Sequence, residues 1–177
     1  EPIVMGGTLL VAVPHVDALV AYDAASGKER WRFYTDGPVR MAPVAWRDRV
    51  LFGSDDGFFY CLNIADGQVE WKFRAVPSSR KILGNGRLIS VWPVRGGAVL
   101  ADGIVYFAAG VWPLEGVFVY ALKAETGEVV WRNERCGSLY GRQPHNAQAL
   151  GGLSPQGYLL VDGDKLLVPC GTARPAS

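Results

Sequence analysis

Apolar residues in this chain cluster in short runs separated by turn-forming residues. Residues 8–12 (TLLVA) precede 18–22 (ALVAY), 49–53 (RVLFG) precede 58–62 (FFYCL), and 104–108 (IVYFA) precede 117–122 (VFVYAL). A last run, 165–169 (KLLVP), stands alone. Each opening run follows Gly or Asp: Gly6-Gly7, Asp48, Asp102-Gly103 and Asp162-Gly163-Asp164. Runs of this length, rich in Val, Phe and Tyr and bounded by such residues, predict β-strands. Residues 39–46, 94–101 and 156–161 supply a further strand before the paired runs.

The spacing hides a repeat. Residues 21–31 (AYDAASGKERW), 61–71 (CLNIADGQVEW) and 121–131 (ALKAETGEVVW) share a small first residue and a turn residue (Ser26, Asp66, Thr126) sixth. Gly27, Gly67 and Gly127 stand seventh, and Trp31, Trp71 and Trp131 eleventh. The pattern reads as a strand end, a hairpin and the next strand. Gly supplies the positive φ of a tight turn, the residue before it bonds the turn backbone, and Trp is a large apolar anchor whose indole N–H needs a partner. Tryptophans recur after 40 and then 60 residues. About forty residues holding four strands, A to D, make one blade of an all-β propeller of four-stranded antiparallel blades.

The count is about three and a half blades: blade one at 1–35, blade two at 36–74, a long D–A loop at 75–93, blade three at 94–133, a second long D–A loop at 134–153, and the start of blade four at 154–177. Propellers need at least four blades. The chain is therefore read as a single partial propeller from a larger protein.

Composition agrees with many short strands: 22 Gly, 11 Pro, 6 Trp, 7 Tyr and 7 Phe in 177 residues, 49% apolar. A net charge of +1 argues against a nucleic-acid-binding surface. Cys61, Cys136 and Cys170 are too scattered for a disulfide framework and form no CxxC pair, and His145 has no second His at ligand spacing, so no metal site is expected. No apolar run reaches membrane-spanning length.

The Gly–Trp pattern resembles the repeat of the pyrroloquinoline quinone (PQQ) enzyme family, which also builds outer-membrane-assembly lipoprotein propellers that hold no quinone. Cys61 replaces the family's small Ala, and Lys123 its Asp or Asn. The resemblance implies a ring of eight blades and a location in the periplasm or cell envelope. For the dehydrogenases it implies PQQ with calcium, adjacent cysteines and an Asp base. No adjacent cysteines occur here, and the basic loops hold one acid, Glu134.

Where the repeats differ is where function is sought. Trp71 to Arg95 and Trp131 to Gln156 are long connections, and blade three carries extra residues between strands B and C at 111–116. In a four-stranded meander these connections emerge on one face. Between residues 74 and 100 there are five basic residues (Arg74, Arg80, Lys81, Arg87, Arg95) and no acid. Arginine forks suit carboxylates and phosphates. The ligand-binding candidates are Arg80, Asn85, Arg87, Trp92, Arg95, Arg142, Gln143, His145 and Asn146. Arg80, Arg87 and Arg95 read equally as ligand groups or as loop staples; Arg95 is favoured because it begins an innermost strand, aligned with Arg40 and Gln156. Trp92 and Trp112 read as packing lids ahead of stacking platforms. The leading expectation is a binding propeller whose loop face takes an anionic small molecule, a glycan or a protein, with no catalytic residue assigned. The alternatives are a PQQ-dependent alcohol or sugar dehydrogenase and an envelope-assembly scaffold.

Overall fold

The computed structural model describes residues 1–170 apart from 85, 137–138, 143–145 and 147. Three antiparallel four-stranded meanders follow one another in chain order, the third extended by a two-residue parallel strand at Gly157–Tyr158. Blade one comprises β1 (Ile3–Met5), β2 (Thr8–Val13), β3 (Ala18–Asp23) and β4 (Glu29–Tyr34). Blade two comprises β5 (Val44–Trp46), β6 (Arg49–Gly53), β7 (Phe58–Asn63) and β8 (Val69–Arg74). After a hairpin of β9 (Lys81–Gly84) and β10 (Arg87–Ser90), blade three comprises β11 (Gly96–Ala101), β12 (Ile104–Ala109), β13 (Phe118–Lys123) and β14 (Val129–Asn133). A second hairpin, β15 (Leu139–Arg142) with β16 (Gln148–Gly151), leads to β17 (Gly157–Tyr158), β18 (Leu160–Asp162) and β19 (Lys165–Leu167).

The two connections read as loops, 75–93 and 134–153, thus each carry a hairpin. In the first, Ile82 and Ile89 form one cross-strand pair and Leu83 and Leu88 the next, so the faces alternate as in any strand pair. The four-residue strands are shorter than the runs that signal a strand in sequence, which is why they read as loop. The first strand expected at 39–46 is confined to β5, because residues 38–42 serve contacts outside the sheet: Pro38 accepts the Asp55 N–H (2.9 Å) and the Ala42 N–H donates to Tyr158 (3.1 Å).

The eleven-residue repeat forms the same object three times. Each spans the third-to-fourth strand turn, with the N–H of Gly27, Gly67 and Gly127 bonded to the carbonyl of Asp23, Asn63 and Lys123 at 2.8, 2.9 and 2.9 Å. Each also has a register shift at one place, Ala21/Tyr22, Cys61/Leu62 and Ala121/Leu122. Asp23 and Asn63 add a side-chain bond to a turn N–H (2.8 and 2.9 Å); Lys123 instead pairs with Glu128 (2.6 Å).

The tryptophans join consecutive blades. Trp31 donates its indole N–H to the Ile64 carbonyl of blade two (2.8 Å), and Trp71 to the Ala124 carbonyl of blade three (3.2 Å). Gly67 and Gly127, at φ +74° and +72°, lie so close under these rings that a Cβ would meet them at 2.7 and 2.8 Å. Beneath the joints lie the two main cores. Leu10, Leu19, Phe52 and Leu62 are buried between blades one and two. Leu51, Phe59, Phe107 and Leu122 are buried between blades two and three, with the Phe59 and Phe107 rings stacked at 3.9 Å. Stacked sheets that bury both faces need this large, flat aromatic payload.

Candidate functional site

The turn between β6 and β7, Ser54-Asp55-Asp56-Gly57, is held by backbone bonds from three directions. Besides Pro38 accepting the Asp55 N–H, Ser90 donates to the Asp55 carbonyl (2.8 Å) and Val94 to the Ser54 carbonyl (3.1 Å). The turn is therefore fixed, and its two carboxylates have separate partners.

Asp55 is joined to the chain segments that enter blades two and three. Its carboxylate is 1% exposed and carries two arginines. Arg40 bonds Oδ2 through Nε (2.6 Å), and Arg95 bonds Oδ1 through Nε (2.9 Å) and Oδ2 through Nη2 (2.8 Å). Two guanidiniums on one carboxylate leave one net positive charge. Arg95 spends two donors, while Arg40 spends only Nε, so its terminal amino groups keep their N–H bonds free of this carboxylate. Both arginines are partly open to solvent, at 30% and 22%. Tyr158 lies beside the segment that carries Arg40. The parallel pairing of Gly96 with Gly157 and Gly97 with Tyr158 sets its ring on Gly97, where a Cβ would meet the ring at 2.5 Å. Its hydroxyl oxygen accepts the Ala42 N–H, two residues from Arg40, leaving the O–H to donate elsewhere. Arginines from the entry segments of blades two and three thus gather around one buried acid, and Tyr158 braces the segment that carries Arg40.

Asp56 has its own partners. Its carboxylate accepts the Tyr60 hydroxyl (2.7 Å), the Phe58 N–H (2.9 Å) and the Asp36 N–H (3.2 Å). Burial nevertheless raises its carboxyl above the ordinary range, and burial together with this neighbouring acid raises the Tyr60 phenol.

The β9–β10 hairpin is tied at both ends. Arg87 pairs with the Asp17 carboxylate and donates to the His15 carbonyl (2.6 Å), reaching blade one. Arg80 pairs with Glu115 of the β12–β13 connection and lies 5.3 Å over the Trp92 ring, whose indole N–H donates to the Glu115 carbonyl. Trp92 is buried and Trp112 is 40% exposed. Of the residues singled out from sequence, the structure brings Arg80 and Trp92 together and joins Arg95 to Arg40, and it places Arg87 against blade one. Arg142 ends β15, exposed, and Asn146 is exposed at φ +72°. Asn85, Gln143 and His145 lie outside the described residues. Sequence reasoning missed Asp55 as a member of the site and Tyr158 as the brace on the segment that carries Arg40. Two acids in a tight strand turn mark Asp55 in the sequence, but its pairing with an arginine 40 positions away leaves no local signal.

Sheets of four antiparallel strands, joined blade to blade by a Trp on a Gly turn, define a β-propeller of the PQQ-repeat class. The family model described as outer membrane protein assembly factor BamB matches residues 1–104, and the chain belongs to that PQQ-like repeat family. It is 30% identical over 144 residues to the dehydrogenase subunit of the quinone alcohol dehydrogenase of Komagataeibacter europaeus, covering 74% of this chain and 19% of that protein. The chain thus spans about a fifth of the length of this relative. Its fold resembles that of the quinohemoprotein alcohol dehydrogenase of Comamonas testosteroni, with a TM-score of 0.63 at 21% identity over 84% of this chain and 22% of the other. It likewise resembles the computationally designed Ika4 protein, with a TM-score of 0.67 at 11% identity over 99% and 86%.

Proposed function

We propose that the chain forms part of an envelope or periplasmic propeller that binds an anionic small molecule at the inner strand ends. The observation that carries this reading is the sharing of one buried carboxylate, Asp55, by Arg40 and Arg95. A guanidinium pair held by an internal acid stays oriented without ligand and keeps a positive charge for a carboxylate or phosphate. Titrating the full-length protein with citrate tests it. Saturable binding that Arg40→Gln weakens about tenfold supports the reading; equal affinity in wild type and variant overturns it.

The similarity to quinone alcohol dehydrogenases favours a second reading, in which the anion is PQQ. The arginine pair fits a carboxylate of that quinone. The calcium partner fits less well: Asp55 is committed to its arginines, and among the described residues no three His, Cys, Asp or Glu side chains gather to hold a cation. Adding PQQ and calcium to the full-length protein and following cofactor absorbance and alcohol-dependent dye reduction decides between the readings. A scaffold for envelope assembly, the third reading, would use the same loop face for a peptide and would bind neither citrate nor PQQ.

A further inference from the structure

A cleft of about 200 Å³ is lined by Asp56 and Phe58, away from the arginine pair. Asp56, Val76 and Ser90 are buried in it, and Asp36, Arg74 and Lys81 are exposed along it. Five segments contribute: the β4–β5 connection, the β6–β7 turn running into β7, the end of β8, the β8–β9 connection and the β9–β10 hairpin.

The charges along this cleft differ from those of the arginines beside it. Arg80, Arg87 and Arg95 each have an acid, whereas among the described residues Arg74 and Lys81 pair with none. Asp36 likewise forms no ion pair there, although it shares the cleft with both cations. Ser90, with 2% of its surface exposed, accepts the Trp92 N–H (3.1 Å), and among the described residues its own hydroxyl hydrogen has no acceptor. Among the described residues the cleft therefore presents charge of both signs outside any ion pair, a buried donor and an apolar wall at Val76 and Phe58. A simple anion would answer the cations but leave Asp36 unmatched, and a simple amine would leave Arg74 and Lys81 unmatched.

We propose that this cleft binds a small zwitterion, an α-amino acid, with its ammonium toward Asp36 and Asp56 and its carboxylate toward Arg74 and Lys81. The site is separate from the Arg40–Arg95 group and does not depend on it.

The test is calorimetric titration of the full-length protein with L-leucine, beside its two halves, isovalerate and isopentylamine. Leucine binds saturably, each half binds at least about tenfold more weakly, and Asp36→Asn and Lys81→Met each weaken leucine about tenfold. Both positions are exposed, so thermal melting is unchanged, and Arg40→Gln leaves leucine affinity intact. Isovalerate binding as tightly as leucine, displacement of leucine by an aldose, full affinity in both variants, or no saturable leucine binding would each overturn the proposal.

Discussion

The indole ring of Trp71 lies directly over Gly127, and its N–H reaches the Ala124 carbonyl at 3.2 Å. Trp31 repeats the arrangement on Gly67 and Ile64. In each pair the glycine answers two demands, a left-handed backbone and a surface with no side chain.

Gly67→Ala is expected to cost about 2–4 kcal/mol, because it adds a clash with the Trp31 ring to the strain of positive φ. Gly7→Ala, at φ +73° with no neighbour within 4 Å, carries only the backbone part, about 1 kcal/mol. Trp31→Phe loses the bond to Ile64 and some contact, about 1–2 kcal/mol. Chemical denaturation of the three variants checks the order.

Asp55→Ala leaves two guanidiniums around an emptied, buried position. Its cost is expected at about 3–5 kcal/mol, the range for breaking a buried pair from one side. Arg40→Gln costs less, since Arg40 is 30% exposed and water partly replaces what it loses. Equal losses in the two variants would mean that Asp55 does not organise the group.

Burial pushes the Cys61 thiol up to about 12 from an ordinary 9.0. A group with a raised folded value contributes stability that is complete below about pH 9 and is lost as pH rises toward 12. Tyr120, pushed by burial from 10.0 to about 12, adds in the same direction. Stability should therefore fall between pH 9 and 12, and Cys61→Ala should flatten part of that fall. At pH 8 iodoacetamide should leave Cys61 unlabelled in the folded protein and label it in denaturant.

The β9–β10 hairpin is anchored by Arg80–Glu115 and Arg87–Asp17, pairs partly open to water and worth about 0.5 kcal/mol each. Replacing both arginines by Ala should raise amide hydrogen exchange across residues 81–90 and leave global melting nearly unchanged. A large drop in melting temperature would contradict this.

Legibility followed the range of the interactions. The hairpin and Trp of each blade depend on residues within eleven positions, so the repeat, the strand pairs and the propeller class could be read directly. The β9–β10 and β15–β16 hairpins could not, because four-residue strands among Gly, Arg and Ser leave little period to detect. Arg87 and Asp17 are 70 positions apart, and Arg95 and Asp55 are 40 apart, so a basic stretch in sequence is largely answered by acids from other turns. Arg95 was legible as an inward residue through its alignment with Arg40; the acid that joins them was not.

The most direct test is a crystal structure of the full-length protein soaked in citrate. A carboxylate is expected within hydrogen-bond reach of the terminal amino groups of Arg40 and close to Arg95, with Asp55 still beneath both. Citrate bound only elsewhere, with those amino groups turned onto the protein's own carbonyls, would contradict it.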